Sequence, residues 1–121
     1  MMWRGTVLLV CVGAIAVSGC AQTPARRSAE YGAVVFNAGT RDYGLSWGMS
    51  SPDAARREAM SICGADCALL DSFGPRECAT LASRPNRAPL VTIGATKDQV
   101  RQRARQSCGA DCAIVPPECN G

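Results

Sequence analysis

The stretch Cys63-Gly64-Ala65-Asp66-Cys67 returns letter for letter as Cys108-Gly109-Ala110-Asp111-Cys112, a step of 45 positions. Two copies of a unit are too few for a solenoid, so the repeat predicts one duplicated, pseudo-symmetric domain. Aligning Ser51 with Thr96 extends the match without a gap. Arg56 falls on Arg101, Ala59 on Ala104, and Leu69-Leu70 on Ile114-Val115. The domain is expected over residues 31–121, with copies of about 31–82 and 83–121.

Each copy carries a helix signal ahead of its cysteine motif. Ser51 can accept from the free N–H groups of a first turn, and Pro52 follows where a missing donor costs nothing. Thr96 with Gln99 makes a capping-box pattern. Ala55, Ala59, Ile62 and Cys63 then share one helical face, as do Val100, Ala104, Ser107 and Cys108. These faces are mostly small, which allows close approach to a sheet. Gly64 and Gly109 stand where a left-handed residue closes a helix. Strands are expected over Ala33–Asn37, Tyr43–Gly48, Cys67–Phe73, Glu77–Ala82, Pro89–Gly94 and Cys112–Val115, with a hairpin about Gly74-Pro75. The order is β-β-α-β twice. It implies an α+β domain, an antiparallel sheet with both helices on one face.

A chain of 121 residues buries a modest core, so further constraints are expected. Eight cysteines in so short a chain fit a disulfide scaffold from an oxidising compartment. Six lie in the domain: Cys63, Cys67, Cys78, Cys108, Cys112 and Cys119. With three in each copy, full pairing requires at least one bridge between copies. Connectivity does not follow from sequence alone. The favoured pairing is Cys67–Cys78 across the second hairpin, Cys112–Cys119 at the C-terminal strand, and Cys63–Cys108 between the helix ends.

The N-terminus reads as an export signal over residues 1–19. Met1 to Arg4 is short and basic, and Thr6 to Val17 is apolar but shorter than the roughly 20 residues of a spanning helix. It ends in Val17-Ser18-Gly19-Cys20, which resembles the bacterial lipobox, with Cys20 as the lipidated residue. Ordinary signal cleavage nearby is the alternative. Acylation of Cys20 leaves an even set of six cysteines, whereas ordinary cleavage leaves an unpaired thiol. Residues 20–30 read as a polar, proline-containing tether. The expected location is the cell envelope, lipid-anchored at the membrane; in a Gram-negative host, Ala21 after the cysteine favours the outer membrane.

Candidate chemistry is sparse. The chain has no histidine, which removes the commonest general base and metal ligand. Two C-x3-C pairs are looser than zinc knuckles, so no metal and no cofactor are expected. Redox catalysis is disfavoured because each motif's first cysteine ends a helix, where the dipole opposes a thiolate. Asp66 and Asp111 repeat within the motif and are the candidate acids of a hydrolase, although aspartate after a helix-ending glycine ordinarily serves the turn. Tyr43 and Trp47 lie four apart on a strand and share a face, either as core or as a binding platform. Arg101 and Arg105 make the second helix basic on one side, a solvated face or a docking site for headgroups, cell wall or an acidic partner. A net charge of +3 is too small to imply nucleic acid.

Taken as a set, Tyr43-Gly44-Leu45-Ser46-Trp47-Gly48, the Ser51-started helix with its closing Cys63, Cys67-Ala68-Leu69-Leu70, Cys78-Ala79-Thr80-Leu81-Ala82 and the Cys108–Cys112 motif resemble the domain-of-unknown-function family 4189, found in small exported bacterial proteins. The resemblance spans about residues 31–119. In the second half Thr92-Ile93-Gly94 replaces the Trp-Gly step. The family brings no established activity. The expected role is a non-enzymatic binding or envelope-interaction module with an envelope-protein or cell-wall partner. The alternatives are an inhibitor or immunity protein acting through Ser83-Arg84-Pro85-Asn86-Arg87, and a hydrolase using Asp66 and Asp111.

Overall fold

Strands β1 (Tyr31–Phe36) and β4 (Cys78–Ser83) are mostly apolar and buried on both faces, and that governs the architecture. A strand apolar all round must be covered twice. In the computed structural model, which describes residues 28–121, each is the centre of its own antiparallel sheet. The first sheet has the order β2-β1-β3, with β2 over Tyr43–Met49 and β3 over Ala68–Phe73. In the second, β4 pairs with β5 (Leu90–Gly94) on one side and with β6 (Ala113–Ile114) and β7 (Glu118–Cys119) on the other. Helix α1 (Pro52–Cys63) packs on the first sheet and α2 (Lys97–Cys108) on the second.

The α+β class, the antiparallel pairing and the double β-β-α-β order all hold. The single sheet does not. Val34, Phe36, Leu45 and Phe73 of the first unit join Ala79 and Leu81 of the second in one buried cluster. The opposite face of β1, Ala33 and Val35, meets Ala55, Ala59 and Cys63 of α1. The layers therefore run helix, sheet, sheet, helix. One sheet with both helices on one face would have left Val34, Phe36 and Leu81 in water. β3 accordingly pairs with β1, not with β4. The Gly74–Glu77 turn carries the chain between sheets, closed by Glu77 N–H on the Gly74 carbonyl at 3.2 Å.

The copy boundary at 82/83 cuts through β4, which belongs with β5 and α2. With the boundary in the 74–77 turn, the 45-position step sets β1 against β4: Ala33-Val34-Val35-Phe36 corresponds to Cys78-Ala79-Thr80-Leu81. The step also relates the two helices end to end and the left-handed residues Arg41 (φ 67°) and Asn86 (φ 63°) of the two hairpin turns. The symmetry fails at β3. Its counterpart contains Pro116-Pro117, which lack the N–H a ladder needs, so the strand splits into β6 and β7.

The helix caps form as the sequence implies. Ser51 Oγ accepts from Ala54 N–H at 3.0 Å, and Thr96 Oγ1 accepts from Gln99 N–H at 3.1 Å. Gly64 and Gly109 close the helices at φ 99° and 111°.

All three expected bridges are replaced. The cysteines pair as Cys63–Cys67, Cys108–Cys112 and Cys78–Cys119. Each motif closes on itself, from the last helical turn to the residue that leads into the strand. Cys78 faces Cys119 directly across the β4–β7 pair. The parity argument rested on the misplaced boundary. Counted by sheets, the first unit holds two cysteines and the second four, so no bridge joins the units.

The units are instead clasped at both ends by polar contacts. At one end Asn120, 4% exposed, accepts from Gly48 N–H at 2.8 Å and donates to the carbonyls of Phe73 (3.3 Å) and Gly74 (2.8 Å). At the other, Arg41 lies over the Phe36 ring at 5.2 Å and donates to the Arg84 carbonyl at 2.9 Å. The signal segment, Cys20 and most of the tether lie outside the described residues. Where the tether is described it ends in contact: Glu30 accepts from Gly121 N–H at 2.6 Å.

Non-reducing peptide mapping should recover Cys63–Cys67, Cys108–Cys112 and Cys78–Cys119. By loop closure, the separation of 41 should stabilise by about 4 kcal/mol and each separation of 4 by about 2 kcal/mol. The Cys78→Ser/Cys119→Ser variant should thus lose the most in urea unfolding. Equal losses for the three pairs would contradict this ordering.

Candidate functional site

Edge strand β2 builds the site. Its residues alternate between two faces, and Gly44 lies against α1, where a Cβ would overlap the Ala59 carbonyl. Ser46 is buried on the same side and donates its hydroxyl to the Ala55 carbonyl at 2.6 Å. The opposite set is Tyr43, Leu45 and Trp47. Leu45 enters the inter-sheet core, while Tyr43 and Trp47 sit 41% and 42% exposed at the margin. Core placement, the bland reading of the aromatic pair, is not what the structure shows.

Two adjoining depressions open there. One, of about 350 Å³, lies between Tyr43 and Trp47 on one side and Val115 and Pro116 on the other, with Glu118 at its rim. The second, about 320 Å³, runs past Trp47 and Met49 to Glu58. Leu45, Trp47 and Ile62 belong to both. Ile62 was expected on the buried face of α1 with Ala55, Ala59 and Cys63. Those three are buried, but Ile62 is 54% exposed. The narrow stripe packs on the sheet and Ile62 turns beyond its edge.

The repeat supplies an internal control. Stepped by 45 positions, Tyr43, Trp47 and Ile62 become Ala88, Thr92 and Ser107. The corresponding depression of the second unit, lined by Arg84, Arg87, Ala88, Leu90, Ser107 and Cys108, measures about 180 Å³. One scaffold therefore stands twice, once with an aromatic cleft and once without. The scaffold does not require the aromatics.

The other candidate residues do not converge on this cleft. Asp66 occupies the turn after α1 at φ 62° and is exposed. Asp111, at the equivalent turn, pairs with Arg84 at 3.0 Å while 76% exposed. One is a left-handed turn residue and the other an ion-pair partner, so the repeated sequence does not give repeated geometry. Arg101 pairs with Asp98 at 2.9 Å on α2. Arg105 lines a separate depression beside Cys112 and Ile114. In the Ser83–Arg87 loop, the Arg84 carbonyl is held by Arg41, and Pro85, Asn86 and Arg87 are exposed. The six domain cysteines are all in disulfides, so a tetrathiolate zinc site has no free thiolates to use. Among the described residues no helix is long and apolar enough to cross a membrane.

The sequence profile of the domain of unknown function DUF4189 matches residues 31–119, which takes in both sheets and all three disulfides. The chain belongs to this DUF4189 family. No curated protein and no solved structure matches the chain. The cleft of this DUF4189 domain has aromatic and aliphatic walls with one carboxylate in each depression.

Exposure and burial on α1 can be checked directly. Ile62→Ser should change stability by less than about 0.5 kcal/mol, as surface substitutions do. Ala59→Leu, which forces bulk between α1 and β2, should cost about 1–3 kcal/mol in denaturant unfolding. The reverse ranking would place Ile62 in the core and close the cleft.

Proposed function

We propose that this protein is a non-enzymatic binding module of the bacterial cell envelope, exported and lipid-anchored through Cys20, which engages an envelope partner on the Tyr43–Trp47–Ile62 face. The observation that carries this reading is the asymmetry of the two units. Exposed aromatics cost solubility and are ordinarily retained where something covers them. Here the same fold exists beside them without any, so packing does not account for them.

Topology favours access. Ser28 and Ala29 lie beside Pro75, Arg76 and Gly121, at the end of the sandwich opposite the two hairpin turns. A tether from Cys20 reaches the domain at that end. The cleft runs along the flank of the sandwich, from Trp47 towards Tyr43 at the far end. Three disulfides, each within one unit, suit an oxidising compartment, where they hold the platform rigid.

A photo-crosslinking residue in place of Ile62, in living cells, should trap a defined envelope component. The same residue in place of Ser107 should not, and adding Trp47→Ala should abolish the product at position 62. Equal crosslinking from both positions, or none from 62, would remove the assignment.

A further inference from the structure

The cleft has a polarity that identifies the class of its occupant, and this step rests on the binding role proposed above. Glu58 lines one of the two depressions and Glu118 the other. Neither depression is lined by an arginine or lysine, although the whole chain is net positive at +3. Glu118 has Lys97 nearby at 3.8 Å, a long contact with the lysine 54% exposed. The second unit's counterpart reverses the sign, with Arg84 and Arg87 in its lining.

Besides the carboxylates the lining is chiefly Tyr43, Leu45, Trp47, Ile62, Val115 and Pro116. Its one hydroxyl besides tyrosine, Ser46, is already bonded to Ala55. A glycan would need polar side chains converging on its hydroxyls, and beyond the two glutamates only the Tyr43 hydroxyl and the Trp47 indole N–H are offered. β2 is also an edge: no described strand lies on its outer side. Every second residue of an edge strand turns its N–H and C=O outward, which is a template for an added strand. The Asn120 amide takes the Gly48 N–H, which marks where that template stops.

We infer that the cleft receives an extended polypeptide segment of a partner protein that carries apolar residues together with lysine or arginine. The segment adds to the free edge of β2 by main-chain hydrogen bonds. Its apolar side chains fill the Trp47–Ile62 and Tyr43–Pro116 hollows, and its cations reach Glu58 and Glu118 or stack on the aromatic faces. Charge steering at such a rim weakens with salt.

The test uses the processed chain as isolated from cells, in which Trp47 is the one tryptophan after the signal segment and alone reports. Short synthetic peptides alternating Val with Lys, Val with Glu, and Gly with Lys are titrated against it, alongside soluble peptidoglycan fragments. The Val-Lys peptide should shift Trp47 emission and protect β2 amides from exchange. Its affinity should exceed that of the Val-Glu and Gly-Lys peptides by about tenfold or more. The double variant Glu58→Gln/Glu118→Gln should remove most of that preference, and raised salt should do the same. Equal binding of Val-Lys and Val-Glu, or response to peptidoglycan fragments alone, would overturn the peptide assignment. Either result is separable from the binding role itself, because crosslinking from position 62 would still occur. Loss of that crosslink together with silence to every probe would overturn both.

Discussion

Contact between the two sheets is the interaction on which the rest of this structure depends. β1 and β4 each give one face to their own helix and the other to the opposite sheet. Neither unit can bury its central strand alone. Val34 and Phe36 would face water without Ala79 and Leu81, and the reverse also holds. Since no disulfide crosses between units, cohesion is non-covalent. It consists of the shared apolar layer plus the Asn120 clasp at one end and the Arg41 clasp at the other. The buried Asn120 amide has its oxygen and its NH₂ group both engaged by the first unit, the arrangement in which a buried polar group adds specificity without leaving an orphan.

The disulfides act locally, within that frame. Cys63–Cys67 and Cys108–Cys112 fix the step from helix to strand in each unit. Cys78–Cys119 fastens the short β7 to the central strand just beyond the prolines that interrupt its ladder. The break at Pro116-Pro117 also has a functional consequence. It places Pro116 against the aromatic edge of β2, so the departure from symmetry that shortens the sheet also forms one wall of the cleft. Rigidity and the binding surface therefore share a cause.

Much of the fold was legible in the sequence because short-range physics controls it. Ser51, Pro52, Thr96, Gly64 and Gly109 mark both helices by capping chemistry alone, and the element order follows from the 45-position repeat. Three things were not legible. The number of sheets turns on whether Val34 and Leu81 face a helix or each other, and a continuous apolar run reads the same either way. The bridges depended on a copy boundary that a few residues' shift inverts: with Cys78 assigned to the second unit, the need for a cross-link between units disappears. Asn120 carries no sequence signal, since its role exists only when Gly48, Phe73 and Gly74 arrive together. Tyr43 and Trp47 were read as a pair on one face, and both line one depression. Their exposure became visible only once the edge position of β2 was known, and Ile62 joined them for the same reason.

The claim that the units stand or fall together is most directly tested by native-state hydrogen exchange across the denaturant transition. If the inter-sheet layer is the common support, the slowest amides of β1 and β4 should exchange through one opening with the same free energy, equal to that of global unfolding. If β1 opens at a free energy well below that of β4, or the reverse, one unit is stable without the other, and the two-sheet account of this domain is contradicted.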